Sequence, residues 1–155
     1  MTTNSIRIEE VTVSEEKQQI ARSVLEALPE WFGIPESTEE YIRDSATYPF
    51  FAAYCDDMPV GFLALKKTGK DTMELYVMGV RKEYHRSGVG RAIFQRAKEM
   101  AKTSGYSFLQ VKTVEMGHYA EYDATNRFYL ALGFKELEVF PTLWDEWNPC
   151  QISFL

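Results

Sequence analysis

The chain has 155 residues, a length that predicts a single domain spanning residues 1–155. It is 45% hydrophobic with a formal charge of −6, which indicates a globular protein and disfavours nucleic-acid or anionic-membrane partners. The N-terminus lacks an apolar signal segment, and the two cysteines and two histidines lack metal-site spacing, so we expect a cytoplasmic protein with no metal and no membrane partner.

The first third of the chain predicts one strand and two helices. Residues 5–13 alternate apolar and polar side chains, as in a half-buried strand. Apolar positions then recur at helical spacing until Pro29. Ser37 or Thr38 is the candidate N-cap of a second, short helix, so the segment 27–37 is predicted to be a connecting loop.

The middle of the chain predicts an antiparallel meander followed by a helix. Three strand-like runs, at 49–55, 60–67 and 72–80, are separated by short turns. Apolar positions at helical spacing then mark one face of a helix over 89–102. Gly105 is the expected C-terminal cap of that helix.

The last third predicts a strand, a helix and two closing strands. The strand covers 107–114, and the helix 124–134 follows a loop. The closing strands cover 135–140 and 150–155, with an aromatic loop at 140–149 between them. The order β-α-α-β-β-β-α-β-α-β-β predicts an α/β fold with a mixed, mostly antiparallel sheet of about seven strands flanked by about four helices.

The segment YHRSGVGRAIF, residues 84–94, has the composition of an anion site. Gly88 and Gly90 precede or open a helix, whose first N–H groups lack intrahelical acceptors and whose dipole end is positive. Arg86 and Arg91 offer charge-assisted hydrogen bonds to a pyrophosphate. A cap or tight turn is the alternative for the glycines. The spacing matches neither a Walker loop nor a dinucleotide fingerprint.

Two longer segments carry a family resemblance. ELYVMGVRKEYHRSGVGRAIFQRA resembles the acetyl-CoA-binding motif of the GNAT superfamily of N-acetyltransferases, in which a strand leads through Arg/Gln-x-x-Gly-x-Gly/Ala into a helix. TNRFYLALGF is similar to a later helix of the same family. Together the matches run from Met73 to Phe134. The sequence departs from the motif at His85, which stands at the Arg/Gln position and would bind phosphate through its backbone N–H.

The resemblance implies the GNAT fold and transfer of an acetyl group from acetyl-CoA to a primary amine of a small molecule or peptide. Tyr129 matches the tyrosine that protonates the departing sulfur in many members; a core tyrosine is the alternative. Glu74 lies where several members place the base, and an exposed carboxylate is the alternative. Glu115, Glu121 and Asp123, in the loop before the last helix, are rivals for the base.

The resemblance also implies how the cofactor binds. The end of the strand 72–80 is expected to splay from the next parallel strand and pair with the pantetheine arm, with a bulge at Gly79. Asn126 is expected to bond the CoA arm, unless it lies on the helix surface. The predicted cofactor-binding residues are Met78, Gly79, Val80, His85, Arg86, Ser87, Gly88, Val89, Gly90, Arg91 and Asn126.

Two aromatic loops are candidates for the acceptor site. The loop between the first two helices offers Glu30, Trp31 and Phe32, and the second candidate is the aromatic loop at 140–149. Glu115 is a further predicted substrate-binding residue. A hydrophobic amine or a polyamine suits this composition, while a covered core or a homodimer contact is the alternative. A non-catalytic acyl-CoA-binding module and a longer acyl donor remain as alternative functions.

Overall fold

The computed structural model describes residues 5–155, and its elements follow the predicted order. The strands are β1 (Ile6–Glu10), β2 (Phe50–Cys55), β3 (Met58–Lys67), β4 (Thr72–Val80), β5 (Phe108–Val114), β6 (Lys135–Asp145) and β7 (Asn148–Phe154). The helices are α1 (Ser14–Leu25), α2 (Pro35–Ser45), α3 (Val89–Thr103) and α4 (Ala120–Leu132), with a 3-10 turn at Lys82–Tyr84. None of the helices in this range has the length and apolar character needed to cross a bilayer.

The strands form one mixed sheet in the order β1-β2-β3-β4-β5-β7-β6. All neighbours pair antiparallel except β4 and β5, which are parallel. This arrangement confirms the predicted meander and the mostly antiparallel sheet. The parallel pair is short, since only Thr72–Glu74 of β4 meets Phe108–Gln110 of β5. Both strands continue beyond that contact, so the sheet is open in its middle.

Each face of the sheet carries its own apolar cluster. Helices α1 and α2 cover one face, where Phe50, Phe62 and Val77 are buried. Helix α3 covers the other face with Ile93 and Phe94, together with the second half of α4. The buried side of α3 matches its predicted apolar positions. Full burial of a side chain of this size stabilises the fold by about 1.5–3 kcal/mol.

The start of α2 differs from the prediction. The helix begins at Pro35, with Ile34 at the N-cap position and no side-chain cap. Proline suits the first helical position because its missing N–H would have no intrahelical acceptor there. Thr38 lies inside the first turn, and its hydroxyl donates to the carbonyl oxygen of Phe32 at 3.2 Å. The predicted capping by Ser37 or Thr38 is therefore wrong.

Helix α4 begins four residues earlier than predicted, at Ala120 instead of 124. Glu121 and Asp123 accordingly lie in its first turn and not in a loop, where their charge complements the helix dipole. The Asp123 carboxylate also accepts the N–H of Gly117 at 2.7 Å, which ties the preceding turn to the helix.

The aromatic segment 140–149 is a hairpin and not a loop. Strand β6 continues to Asp145, which pairs with Asn148 across a two-residue turn. The Asp145 carboxylate accepts the N–H groups of Trp147 and Asn148, both at 2.9 Å. Pro141 did not stop the strand because β6 is the edge of the sheet, where a missing N–H is tolerated.

Candidate active site

The opening between β4 and β5 is the central feature of the candidate site. From Leu75 to Val80, β4 pairs with β3 on one side but has no partner in β5 on the other. Because the parallel contact lies at the N-terminal ends of both strands, the opening extends from Leu75 to Val80. Such an edge presents backbone groups to a ligand within the sheet.

The bulge in β4 lies at Tyr76 and not at Gly79. Gly79 is in regular register with Phe62, whereas the shift falls where Leu75 and Val77 face the adjacent residues Leu65 and Ala64. The prediction of a bulge at Gly79 is wrong. Gly79 lacks a side chain for a packing reason, since a Cβ there would lie 3.1 Å from the side chains of Leu28 and Val24 in and just beyond α1.

The loop after β4 leads directly into the N-terminus of α3. Gly88 has a φ of +86°, a conformation that favours glycine, and its carbonyl oxygen accepts the N–H of Ala92 at 3.0 Å. That bond is the first of the helix, so the N–H groups of Val89, Gly90 and Arg91 have no intrahelical acceptor. The loop therefore has the backbone geometry of an anion site.

Gly90 is required by the packing of α3 against α4. A Cβ at this position would lie 3.0 Å from Cζ and 3.2 Å from Cε1 of Phe128, and 3.5 Å from Cε of Met78. Gly88, in contrast, has open space on the side where a Cβ would stand. Of the two glycines, only Gly88 leaves room on its exposed side for a ligand.

His85 makes hydrogen bonds within the protein through its backbone N–H and its ring Nε2. Its backbone N–H, predicted to bind phosphate, donates to the carbonyl oxygen of Lys82 at 3.1 Å. Its ring Nε2 lies 2.6 Å from the carbonyl oxygen of Val80, so Nε2 carries the proton. The ring also meets Trp31 edge-on, with centroids 5.7 Å apart. His85 thus connects the end of β4, the loop and the α1–α2 connection.

Glu74 is buried, with 5% of its surface exposed, which excludes the alternative of a solvent-exposed carboxylate. Its Oε1 accepts a hydrogen bond from Gln110 Nε2 at 2.9 Å and lies 3.1 Å from Lys112 Nζ. Lys112 was not among the residues predicted for the site. Lys112 alternates with the buried Val111 on β5, so the sequence indicates that the two side chains lie on opposite faces of the sheet. That Lys112 lies near Glu74 follows only from the register of β4 against β5.

Tyr129 is also buried, but on the other face of the sheet. Its ring packs in the α3-side cluster, with centroids 5.4 Å from Phe128 and 5.6 Å from Phe134. Its hydroxyl makes no hydrogen bond to any of residues 5–155. Burial raises the pKa of this phenol above its ordinary value, so it stays protonated at neutral pH. Glu74 and Tyr129 therefore lie on opposite sides of the sheet.

Asn126 is buried in α4, which excludes the alternative of a helix-surface asparagine. Its amide nitrogen donates to the carbonyl oxygens of Val114 at 2.8 Å and Tyr122 at 3.1 Å. Its Oδ1 accepts the Thr113 hydroxyl at 2.7 Å. Both amide hydrogens are engaged, so the predicted bond to a CoA arm would require Asn126 to release one of them.

The connection between α1 and α2, residues 26–34, is fastened to α4 by hydrogen bonds. Trp31 Nε1 donates to the carbonyl oxygen of Glu121 at 3.1 Å, and the Tyr122 hydroxyl donates to the carbonyl oxygen of Trp31 at 3.3 Å. We call this segment the acceptor loop, after the role predicted for it from the sequence. It joins the helix pair on one face to the helix that follows β5.

The predicted substrate-binding carboxylates already have partners. Lys82 donates to the Glu30 carboxylate and lowers its pKa. Glu115 Oε1 lies 3.0 Å from His118 Nε2. A surface hollow of about 320 Å³ between α1 and α2 lies elsewhere and is lined largely by charged side chains such as Arg22, whose Nη2 is 2.8 Å from a Glu39 oxygen.

A family model described as an acetyltransferase (GNAT) domain matches residues 46–136, which include β2 to β5, the loop before α3, and helices α3 and α4. The chain belongs to the GNAT acetyltransferase family. This assignment confirms the resemblance seen in the sequence. Comparison of this GNAT domain with curated protein sequences gives no significant match.

Solved structures confirm the GNAT fold. One from Desulfovibrio desulfuricans, assigned to the GNAT family, has a TM-score of 0.82 at 20% identity, over 97% of this chain and 98% of that one. The ribosomal-protein-S18-alanine N-acetyltransferase from Escherichia coli gives 0.75 at 18% identity, over 97% and 93%. The PaiA N-acetyltransferase from Thermoplasma acidophilum, in complex with coenzyme A, gives 0.71 at 19% identity, over 96% and 98%.

Proposed function

We propose that residues 1–155 form a single, cytoplasmic N-acetyltransferase domain that moves an acetyl group from acetyl-CoA to a primary amine of a small molecule or peptide. One observation carries the proposal. The opening of the sheet extends to Val80, and the chain after Val80 runs through residues 81–88 to the free N–H groups at the start of α3. The family assignment supports the donor, and two free, buried cysteines suit a reducing compartment.

The donor would lie along the open edge of β4. Met78, Gly79 and Val80 would pair with the pantetheine arm through backbone groups. The pyrophosphate would lie at the N-terminus of α3, where a helix end favours anions. The remaining predicted contacts come from Arg86, Ser87, Gly88, Val89, Gly90 and Arg91, and from His85 and Asn126, each of which would first release a hydrogen bond that it makes within the protein. Arg86 and Arg91 are exposed beside this helix end, available for charge-assisted bonds.

The chemistry would proceed by direct attack in a ternary complex. An alkyl ammonium has a pKa of roughly 10, so it must lose a proton before attack. Glu74 would accept that proton, directly or through a water molecule. The amine nitrogen then bonds to the thioester carbon, the C–S bond breaks, and Tyr129 donates its proton to the departing thiolate. Because Glu74 and Tyr129 lie on opposite sides of the sheet, they would act on the acetyl group from opposite faces, through the opening that begins beyond Glu74.

The proposal is tested by acetyl-CoA-dependent release of free thiol across a panel of primary amines. Tyr129→Phe should lower kcat by about 100-fold, since the phenol supplies the proton to sulfur, while the Kd for CoA stays nearly unchanged. Tyr54→Phe, which removes a hydroxyl from β2 far from the opening, is the matched control. Binding of acetyl-CoA without turnover of any amine would contradict the enzyme and support a non-catalytic acyl-CoA-binding module.

A further inference from the structure

Three aromatic side chains line the α2 face of the sheet next to Glu74. The ring of Phe32 meets Tyr41 edge-on at 6.0 Å between centroids, and Tyr41 meets Tyr76 at 5.3 Å. All three are half-buried and pack against the cluster beneath α1 and α2. We call this set the aromatic wall. Its members keep part of their surface exposed, unlike the core phenylalanines beneath them.

The aromatic wall adjoins the proposed base. Tyr76 follows Glu74 by two residues on β4. The Tyr41 ring contacts the Tyr76 ring, with centroids 5.3 Å apart, so it lies beside the strand that carries Glu74. Burial raises the pKa of the Tyr41 phenol, and the charge of Glu40 raises it further. Its hydroxyl makes no hydrogen bond to residues 5–155, which leaves it available to a ligand.

A cation already lies over the aromatic wall. The ammonium of Lys66 is 5.6 Å from the centre of the Tyr76 ring, within the range of a cation–π contact. Lys66 is the β3 residue in register with Glu74, so this contact lies beside the carboxylate. The Tyr76 ring therefore has the electrostatic character that attracts an ammonium group.

The carboxylates around the opening do not form a free acidic surface. Recognition of a polyamine would need several unpaired carboxylates at the spacing of its ammonium groups. Here most of the nearby carboxylates have a donor of their own: Glu30 with Lys82, Asp44 with the Tyr76 hydroxyl, Glu74 with Lys112, Glu115 with His118, and Asp123 with the Gly117 N–H.

We infer, resting on the proposed function, that the acceptor is a monoamine with an aromatic or bulky apolar body, which packs on Phe32, Tyr41 and Tyr76 with its nitrogen toward Glu74. This choice separates two substrate classes that the sequence leaves open, the hydrophobic amine and the polyamine. Apolar contact supplies most of the binding, because Glu74, which Gln110 and Lys112 already contact at Oε1, is a shared partner for the single ammonium.

The experiment compares four acceptors in the same thiol-release assay: 2-phenylethylamine, hexylamine, spermidine and a peptide with N-terminal alanine. The kcat/KM for 2-phenylethylamine should exceed those for hexylamine and spermidine by about tenfold, because only the arylalkyl amine stacks on the aromatic wall. Addition of salt should leave this preference unchanged, since it does not depend on several exposed charges.

Variants of the aromatic wall test whether its side chains cause the preference for 2-phenylethylamine. Tyr41→Leu should lower kcat/KM for 2-phenylethylamine by about tenfold and that for hexylamine by about twofold, with CoA affinity retained. Phe32→Leu, in the acceptor loop, gives the same comparison if Tyr41→Leu does not fold. Tyr54→Leu is the matched control, because Tyr54 packs against the same cluster but lies on β2.

The outcomes separate the two proposals. Preferred turnover of spermidine or of the peptide leaves the acetyltransferase intact and overturns the aromatic monoamine. An aromatic preference that survives both Tyr41→Leu and Phe32→Leu overturns the assignment of the aromatic wall. Acetyl-CoA binding with no turnover of any of the four amines counts against the proposed function itself, and the acceptor inference falls with it.

Discussion

Replacement of Gly90 by alanine distinguishes packing from ligand access as the reason for this glycine. In a helix, alanine is ordinarily favoured over glycine by about 1 kcal/mol. Here the added Cβ would lie 3.0 Å and 3.2 Å from two carbons of the Phe128 ring, closer than the roughly 3.5–4.0 Å at which carbon atoms attract. The ring must therefore shift, or α3 and α4 must separate.

The magnitude follows from these opposing effects. Overpacking of this kind costs about 1–3 kcal/mol, so the clash should exceed the gain in helix propensity. We expect Gly90→Ala to lower the free energy of unfolding by about 1 kcal/mol, or the Tm by about 2–4 °C for a chain of this size. Urea and thermal unfolding followed by circular dichroism measure the change.

Phe128→Leu completes the cycle, because leucine lacks both of the ring carbons that the new Cβ would meet. In that background, Gly90→Ala should be neutral or stabilising, so the two substitutions should couple by about 1 kcal/mol or more. A Gly90→Ala protein that is more stable than the parent, with Phe128 intact, would refute the steric reasoning.

Cofactor titration of the same variants addresses ligand access. The N–H of residue 90 is present with either residue, so the Gly90→Ala, Phe128→Leu protein should bind CoA within about twofold of Phe128→Leu alone. A folded double variant that no longer binds CoA would show that the ligand itself needs the space at residue 90.

Two further predictions concern buried ionisable groups. Lys112→Met should lower the free energy of unfolding by about 1–3 kcal/mol, because it leaves the Glu74 carboxylate buried with Gln110 as its remaining donor. Lys112→Arg is the control, and an unchanged urea midpoint for Lys112→Met would contradict the prediction. Burial raises the pKa of the Cys150 thiol to about 11, whereas the unfolded thiol ionises near about 8.5. Stability should therefore fall as pH rises from about 8.5 to 11, and Cys150→Ala should reduce that slope; an unchanged slope would count against it.

The spacing of apolar residues predicted an element well where one of its faces packs in the core and the other faces solvent. The period of α3 identified its buried side, including Ile93 and Phe94, because a helix packed on a sheet shows one apolar stripe. Short turns predicted the meander for the same local reason. Gly105, with a positive φ, follows the end of α3 as expected.

Contacts between distant segments could not be predicted in this way. Gly90 meets a ring carried by another helix, and Glu74 meets Lys112 across the parallel contact, so both depend on a register that only the fold defines. The bulge was predicted at Gly79, whose missing side chain instead makes room for α1. The extension of β6 past Pro141 required knowing that β6 is an edge strand.

The position of the acceptor loop in the chain bears on how acceptor specificity could evolve. The family-defining region begins at residue 46, whereas Trp31, Phe32 and Tyr41 all precede it. The proposed acetyl-CoA contacts thus lie within the matched region, whereas most of the proposed acceptor contacts lie before it. If the proposed contacts hold, substitutions among the first 45 residues would change the amine that is acetylated and leave the acetyl-CoA contacts as they are.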